Sequence, residues 1–255
     1  MNQPQRMQLG KVLNEISGLS YNTDNNTLLA ISDSKEKIFE LSIDRRKLKD
    51  YTDRVVGAHS DLEDLVKVDS TIYLLGSKGI IYIVPARRHN DTVGVKGYPL
   101  SADQTNDFET LYFDPNSNGL IMLCKTCASA TSDDIHSAYR FDLKSKKFDS
   151  SVFYAIDEKD VKNVLKDDKA KFKPSAAAIH PVSKRLFILS SAGNLLVVAN
   201  LHGQVIEAYH LNPIDFPQPE GITFDANGTM YISNEGKYGG RATLLIFPYK
   251  NTGKQ

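Results

Sequence analysis

The sequence predicts an all-β protein, and more specifically a five-bladed β-propeller of four-stranded blades. The first observation behind this prediction is a short phrase that recurs five times along the 255 residues, each time followed by a turn and a second apolar run. Its copies are residues 15–19 (EISGL), 61–65 (DLEDL), 107–111 (DFETL), 175–179 (SAAAI) and 218–222 (QPEGI). The second observation is their spacing, which is 46 residues from Leu19 to Leu65 and again from Leu65 to Leu111. Repeats of this length made of short strands are typical of propeller blades.

Each repeat supplies three apolar strands, and the first four repeats also supply a fourth strand that is more polar. The turn after the first strand is rich in Asn, Asp, Gly and Pro, which favour tight turns through left-handed backbone and self-capping side chains. Polar outer strands suit the exposed edges of blades, because an apolar edge would invite pairing with another chain. The fourth strands are expected near residues 50–56, 92–100, 150–156 and 204–211.

The two ends of the chain are expected to meet in the last blade. The fifth repeat ends after its third strand, near Tyr249, so we expect its missing strand to come from the N-terminus, near residues 5–11. The whole chain, residues 1–255, is then a single propeller domain. The spacing from Leu111 to Ile179 is longer, at 68 residues, and it includes a charged stretch that is predicted to be helical at about 157–172, with Asp157 as its N-cap. We expect this insertion to pack on the rim of the propeller, although a binding helix is the alternative.

Composition narrows the possible partners. Lys and Arg together number 31, as do Asp and Glu, so the formal charge is zero and no basic stripe suggests a nucleic-acid partner. No apolar run approaches the roughly 20 residues of a membrane helix, and residues 1–7 lack the apolar core of a signal peptide. Two cysteines are too few for a disulfide scaffold. We expect a monomer without a nucleic-acid partner.

Acidic residues fall at matched positions of several repeats. In a propeller the first strand of each blade is innermost, so its start lies at one mouth of the central channel, together with the turns between strands two and three. The first group there is Glu15, Asp61, Glu63, Asp107, Glu109, Gln218 and Glu220, and the second is Asp33, Lys125, Asn234 and Glu235. Crowded carboxylates repel one another unless a cation neutralises them or some take up protons. Oxygen ligands without His or Cys point to Ca²⁺, ahead of Mg²⁺ or Mn²⁺.

A structural alternative remains open for these carboxylates. Acidic residues at strand starts can also accept hydrogen bonds from backbone amides, or pair with arginines of the neighbouring blade, and so hold the blades together. The fourth repeat has Ser175 and Ala177 instead of acids, which makes the ring asymmetric and leaves an open sector for water or a ligand. In this setting Lys125 is either a counter-charge or a substrate contact.

The C-x-x-C motif of Cys124 and Cys127 is a weaker candidate. It ends a predicted strand, whereas a thioredoxin-like motif begins a helix in a βαβ unit. A zinc site requires four ligands, and His136 could add a third at most. Neither redox nor zinc chemistry is therefore favoured for this motif.

Several phrases resemble the SdiA-regulated, YjiK-like family of bacterial proteins. They are residues 15–19, 107–111 and above all 218–225 followed by 228–235, and the resemblance extends from about residue 13 to 247. It implies a five-bladed propeller with bound calcium, distantly related to NHL-repeat propellers, whose wider group includes six-bladed metal-dependent lactonases or esterases. It also implies an N-terminal membrane anchor or export signal, and hence a location in the bacterial cell envelope or periplasm. This chain has no visible signal, so we expect membrane contact only through such a missing anchor.

The leading functional hypothesis is a calcium-containing binding module of the cell envelope, with an unknown small molecule or protein at the channel mouth. By their positions, the predicted calcium ligands are Glu63, Glu109 and Glu220, assisted by Glu235 and Asp33. One alternative is a metal-dependent hydrolase of lactones or esters, in which the cation polarises a carbonyl and activates water. There Lys125 is the candidate for assisting proton transfer. The other alternative is a scaffold whose flat faces bind a protein. An open coordination site would favour the hydrolase, and a fully enclosed cation the structural role.

Overall fold

Five antiparallel β-sheets surround a central axis. The computed structural model describes residues 3–32, 34–58, 61–84, 92–101, 105–128, 132–236 and 240–250, with only the backbone of Glu36 and Val56. Each sheet has four strands in order from the axis outward, and the third sheet carries one more strand.

The chain begins with a short strand and then forms the first two blades. Strand β1 is Gln5–Gln8, and a 3-10 turn at Lys11–Leu13 connects it to the first blade. The first blade consists of β2 (Ile16–Asn22), β3 (Thr27–Ser32), β4 (Lys35–Ser42) and β5 (Lys47–Asp50). After β6 (Arg54–Val56), the second blade consists of β7 (Leu62–Val68), β8 (Thr71–Gly76), β9 (Ile80–Val84) and, following β10 (Thr92–Gly94), β11 (Lys96–Pro99).

The remaining three blades follow in chain order. The third consists of β12 (Asp107–Asp114), β13 (Gly119–Thr126), β14 (Ile135–Asp142), β15 (Lys147–Phe148) and β16 (Tyr154–Asp157). Helix α1 (Glu158–Leu165) precedes the fourth blade, which consists of β17 (Ala176–Ile179), β18 (Leu186–Ser190), β19 (Leu195–Ala199) and β20 (Val205–His210). The fifth consists of β21 (Pro219–Phe224), β22 (Met230–Asn234) and β23 (Thr243–Phe247).

The first strand of every blade lines the axis. Strands β2, β7, β12, β17 and β21 each contact the next one around the ring, and β21 returns to β2. Strand β1 pairs antiparallel with β23, with Gln5 opposite Ile246 and Gln8 opposite Thr243. These contacts confirm the predicted five-bladed propeller and its closure by the N-terminal strand in the last blade.

The hydrophobic core is divided into five layers, one between each pair of neighbouring blades. Strand β3 illustrates the arrangement: Leu28 packs in the layer shared with the fifth blade, whereas Leu29 and Ile31 pack in the layer shared with the second. Because side chains alternate between the two faces of a strand, a middle strand with both faces covered must be apolar throughout. This explains why the second strand of each repeat appears in the sequence as an unbroken apolar run.

The outer edge of the first blade differs from the prediction. We expected its fourth strand at residues 50–56, but Lys47–Asp50 pairs with β4, and Arg54–Val56 instead pairs in parallel with Thr92–Gly94. Val55 and Val93 are buried in the layer between the first two blades. Burial of these two valines favours a link between blades over a longer edge strand.

The predicted helical insertion is present but shorter than expected. The side chain of Asp157 caps α1 by accepting a hydrogen bond from the Lys159 amide at 2.8 Å, and the left-handed backbone of Lys166 ends the helix. The segment then extends to Phe172, which is fully buried and donates its backbone N–H to Glu158 at 2.9 Å. Within the described part of the chain, no helix has the length and hydropathy that a membrane crossing requires.

Candidate functional site

A β-bulge lies at the start of four inner strands. In β2, β7, β12 and β21 the pairing with the second strand shifts, and the extra residues are Ser17, Glu63, Glu109 and Glu220. A bulge leaves one residue unpaired and re-aims its side chain. The three glutamates predicted as calcium ligands therefore occupy equivalent positions in the second, third and fifth blades. The pairing of β17 in the fourth blade runs without such a shift.

Glu109 and Lys125 form an ion pair within the third blade, where strand β13 places Lys125 beside the bulge. Burial raises the pKa of Glu109, against the opposing effect of the Lys125 charge. Burial alone would lower the pKa of Lys125, but the charge of Glu109 and their hydrogen bond outweigh it, so the net shift is upward. The second carboxylate oxygen of Glu109, Oε2, is buried and has no hydrogen-bond partner among the described residues.

The pKa of Glu220, at the same mouth of the channel, is strongly raised. Burial raises its pKa from 4.5 to about 8, and the charges of Glu109 and Glu235 add to the rise, against the opposing effects of Lys125 and Gln218. Glu109 belongs to the third blade and Glu220 to the fifth. Their electrostatic interaction therefore crosses the channel mouth in front of the fourth blade, which lies between them. We call Glu109, Lys125, Glu220 and Glu235 the acidic mouth.

The remaining predicted metal ligands are Glu63, Asp33 and Glu235. Glu63 is half-buried at its bulge position, and its charge raises the pKa of the adjacent Asp64. Asp33 lies outside the described residues. Glu235 accepts a hydrogen bond from Gln218, so these two residues are brought together as expected.

The remaining members of the two predicted groups divide into exposed and structural residues. Glu15 and Asp61 are exposed, and Asp107 is half-buried with its charge acting on Glu109 and Lys125. Asn234 is fully buried and donates its side-chain amide to the Asp215 carbonyl at 3.3 Å. It therefore supports the fifth blade.

Sequence reasoning missed Asp64, which is the acid that joins two blades. Its Oδ1 accepts the Leu65 amide and its Oδ2 accepts the Leu111 amide of the third blade, both at 2.8 Å. Burial nevertheless raises the pKa of Asp64 well above its ordinary value. The structural alternative for acidic residues thus applies to this position. The available signal was that the corresponding residues of other repeats, such as Gly18 and Gly221, are not acidic.

Hydroxyl groups link other blades at the same level. Ser17 at the bulge of β2 donates to the Leu62 carbonyl at 3.0 Å, and Ser175 just before β17 donates to the Pro219 carbonyl at 2.8 Å. In these two blades the polar residue at the mouth therefore serves the contact with the next blade.

Cys124 and Cys127 are joined by a disulfide, a pairing that the sequence analysis did not predict. Both cysteines are buried, and the backbone N–H of Ser137 donates to Cys127 Sγ at 3.3 Å. The disulfide links Cys124 within β13 to Cys127 just after it, across the end of the strand that carries Lys125. It therefore restrains the backbone beside the acidic mouth.

The donor chemistry of the acidic mouth fits a hard cation, since its acids offer carboxylate oxygens, and one of these, Glu109 Oε2, is buried with no hydrogen-bond partner among the described residues. However, no group of three or more His, Cys, Asp or Glu within the described ranges lies close enough together to hold a metal ion. Lys125 supplies the positive charge at this place. The calcium site with Glu63, Glu109, Glu220, Glu235 and Asp33 as ligands stays a prediction.

Comparison with solved structures identifies many propellers with low sequence identity. A calcium-binding protein described as regucalcin from Agrobacterium tumefaciens has a TM-score of 0.58 and 11% identity, with 95% of this chain and 96% of that one covered. A putative oxidoreductase (glucose dehydrogenase) from Thermus thermophilus has a TM-score of 0.57 and 10% identity, with 96% and 100% covered. A Bacteroides thetaiotaomicron protein of unknown function has a TM-score of 0.57 and 13% identity, with 96% and 65% covered. These similarities support the propeller fold alone.

No curated protein matches the sequence. The family comparison, by contrast, covers most of the chain and agrees with the phrases that the repeats share. The match extends over residues 4–237, and the chain therefore belongs to the SdiA-regulated family.

Proposed function

We propose that this protein is a calcium-containing binding module of the cell envelope, and that its ligand site is the acidic mouth. One observation carries the proposal: the half-buried Glu220 lies where desolvation raises its pKa to about 8, beside the half-buried Glu109 and the ammonium of Lys125. A cation at this place would stabilise the ionised carboxylates and relieve the electrostatic cost of their burial.

In this proposal the cation takes over the role of the Lys125 ammonium. Glu109, Glu220 and Glu235 are the residues that would hold it, with Glu63 and Asp33 as further candidates. Lys125 then turns away from Glu109 and becomes available to a ligand at the mouth. A divalent ion would supply charge neutralisation and a Lewis-acid centre at this place.

The location in the cell envelope has support from the disulfide. Disulfides persist in oxidising compartments and are rare in the bacterial cytosol. A chain with two cysteines, both joined in one disulfide, fits an exported protein. The family resemblance points in the same direction.

The test is a calorimetric titration with CaCl₂ at pH 7 in two buffers of different ionisation enthalpy. Because Glu220 holds a proton at this pH, calcium binding is expected to release close to one proton, which the buffer comparison measures. Glu220→Gln should remove the proton release and weaken binding at least about tenfold. The exposed Glu15→Gln is the matched control and should change neither quantity. Absence of any heat and of any rise in Tm with millimolar calcium would refute the proposal.

A metal-dependent hydrolase is the second candidate, favoured by the same pKa. A carboxyl that titrates near neutral pH can act as general acid or base, and Lys125 remains protonated beside it. Calcium-dependent hydrolysis of phenyl acetate or dihydrocoumarin that is lost in Glu220→Gln would support this function. Calcium binding without turnover of either compound would favour the binding module.

A further inference from the structure

A separate cavity opens at the mouth of the channel opposite to the acidic mouth. Its volume is about 270 Å³, and residues of all five inner strands line it. The lining includes the last positions of these strands and the turns after them, such as Tyr21, Phe113 and Asp225, whereas the acidic mouth lies at their first positions. We call this space the far cavity.

A ring of apolar side chains separates the far cavity from the acidic mouth. Along each inner strand, one buried apolar residue lies between the strand start and the remaining lining residues. These residues are Leu19, Leu65, Leu111, Ala177 and Ile222, and all of them line the cavity. The far cavity is therefore a site of its own, and a ligand there would have no contact with the carboxylates of the acidic mouth.

Three hydrogen-bond donors converge on one side of the far cavity. The Ser20 hydroxyl accepts the Lys67 amide at 3.0 Å, and the Thr223 hydroxyl accepts the Tyr21 amide at 3.1 Å. Since each hydroxyl oxygen acts as the acceptor in these bonds, its own proton is left to donate. These residues come from the first, second and fifth blades.

The third donor is the ammonium of Lys67, whose side chain is only 5% exposed. It contacts Asp24 at 2.9 Å and the Asp69 carbonyl at 2.5 Å. An ammonium has three N–H donors, so these two contacts leave one for a ligand. The cavity therefore combines an ammonium that is paired with Asp24 with two hydroxyl donors.

The opposite side of the far cavity is apolar. The third and fourth blades contribute Leu111, Phe113, Ala178 and Ile179 there. The carboxylate of Asp225 also lines the cavity, but its Oδ1 already accepts the backbone amides of Asn227 at 2.9 Å and Thr229 at 2.8 Å, and its Oδ2 accepts the Tyr231 hydroxyl at 3.4 Å. The polar groups that remain for a ligand on the described lining are thus mainly donors.

We propose that the far cavity binds a small organic molecule with a carbonyl or carboxylate head and an apolar body. The head accepts hydrogen bonds from Ser20, Thr223 and Lys67, and the body packs against Phe113 and Ile179. A mostly apolar pocket with a few convergent polar groups is the usual form of a small-molecule site. The volume, just below the usual range of about 300–1,000 Å³, limits the ligand to the size of a fragment. This proposal does not depend on a cation at the acidic mouth.

The test uses two probes with the same body and opposite heads, 4-phenylbutyrate and 4-phenylbutylammonium. Each is titrated at pH 7 into uniformly ¹⁵N-labelled protein while amide chemical shifts are recorded. The carboxylate should give saturable shifts at Ser20, Lys67 and Thr223. The ammonium probe should bind at least about tenfold more weakly, because its donors would face the donors of the protein.

Two variants distinguish the far cavity from other binding places. Ala178→Leu fills the cavity from its apolar side and should abolish the shifts, whereas Ala155→Leu, at an exposed position of β16, should leave them unchanged. Thr223→Val keeps the shape and removes one donor, so it should weaken the carboxylate probe several-fold and serves as the test if Ala178→Leu does not fold. The proposal is overturned by equal affinity for both probes, by unchanged binding in Ala178→Leu and Thr223→Val, or by the absence of saturable shifts at the cavity.

Discussion

Two carboxylates near the start of inner strands, one buried and one half-buried, have opposite surroundings. Asp64 in the second blade accepts a backbone amide on each oxygen, and one of these amides belongs to the next blade. Glu220 in the fifth blade faces Glu109 and Glu235, with Lys125 as the nearby cation that opposes the rise of its pKa. Asp64 therefore has backbone amides as partners, whereas Glu220 shares the charge of Lys125 with other acids.

This difference separates structural acids from acids that a ligand could use. Backbone amides cannot be displaced without opening the blades, so the interactions of Asp64 are permanent in the folded protein. A lysine side chain can move, so the charge balance around Glu220 can change when a cation or ligand arrives. A carboxylate that interacts mainly with movable side chains is therefore the better candidate for a binding site.

The largest expected effect is loss of the blade contact made by Asp64. Asp64→Ala leaves the amides of Leu65 and Leu111 without their acceptor in a buried place, and we expect a loss of about 3 kcal/mol in the free energy of unfolding. Urea unfolding followed by circular dichroism measures it. Asp61→Ala, at an exposed position of the same phrase, should change stability by less than about 0.5 kcal/mol. Equal effects of the two substitutions would contradict the structural role of Asp64.

Stability is also expected to fall when a side chain is added at Gly18, a residue of the first blade that lies close to Asp64. A Cβ atom at Gly18 would lie 2.7 Å from Asp64 Oδ1 and 2.8 Å from Asp64 Cα, so Gly18→Ala must displace backbone. We expect a loss of about 2 kcal/mol.

Gly94 provides the control for this substitution, since a Cβ atom there would have no neighbour within 4 Å. Thermal unfolding of Gly18→Ala and Gly94→Ala should therefore give a clearly lower Tm for the first variant alone. Similar Tm values for the two variants would mean that the close approach of Gly18 to Asp64 does not contribute to stability.

The sequence predicted the fold well because every repeat carries the same strand and turn pattern. It also predicted that Glu63, Glu109 and Glu220 are equivalent, since they occupy the same place in the repeated phrase. It could not separate Glu63 from Asp64. Adjacent residues of a strand face opposite sides, and a bulge of one residue changes which side each faces. The bulge becomes visible only in the pairing with the second strand.

The charge balance of the acidic mouth could not be predicted from the sequence either. The ion pair of Lys125 with Glu109 lies beside the Cys124–Cys127 disulfide at the end of β13, and neither the ion pair nor the disulfide follows from residue types. Glu109 acts on Glu220 across the fourth blade, whose repeat has Ser175 and Ala177 where every other repeat has at least one acid. The absence of acids from that repeat was the one sequence signal for this asymmetry.

The third prediction concerns the pH dependence that Glu220 creates. Its pKa is about 8 in the folded protein and 4.5 ordinarily, so between these values the folded protein holds a proton that the unfolded chain releases. The contribution of Glu220 to stability is therefore fully present below pH 4.5 and is lost as pH rises towards about 8. Glu220→Gln should remove this loss and be more stable than the unsubstituted protein by about 2 kcal/mol at pH 8.

Urea unfolding at pH 5 and pH 8, without calcium, measures the difference. The two proteins should differ much less at pH 5, where Glu220 is protonated in the folded state. Glu15→Gln should follow the unsubstituted protein at both values. A pH dependence of Glu220→Gln identical to that of the unsubstituted protein would show that Glu220 does not titrate as described.

The smallest expected effect on the free energy of unfolding comes from removing the counter-charge, the ammonium of Lys125. Lys125 lowers the pKa of both Glu109 and Glu220, so Lys125→Met should raise both values and cost about 1 kcal/mol at pH 8. At pH 5 the cost should nearly vanish, because the carboxyls can take up protons. Lys78→Met is the matched control, since Lys78 lies in the equivalent turn of the second blade and is exposed.

Calcium links this last variant to the proposed function. If the cation replaces the Lys125 ammonium, Lys125→Met should gain calcium affinity by several-fold, and calcium should restore its stability at pH 8, since binding to the folded state alone stabilises that state. The change in unfolding free energy on adding calcium at pH 8 is the measurement. A loss of calcium affinity in Lys125→Met would mean that the lysine assists the cation instead of competing with it, and would contradict the exchange of one positive charge for another at the acidic mouth.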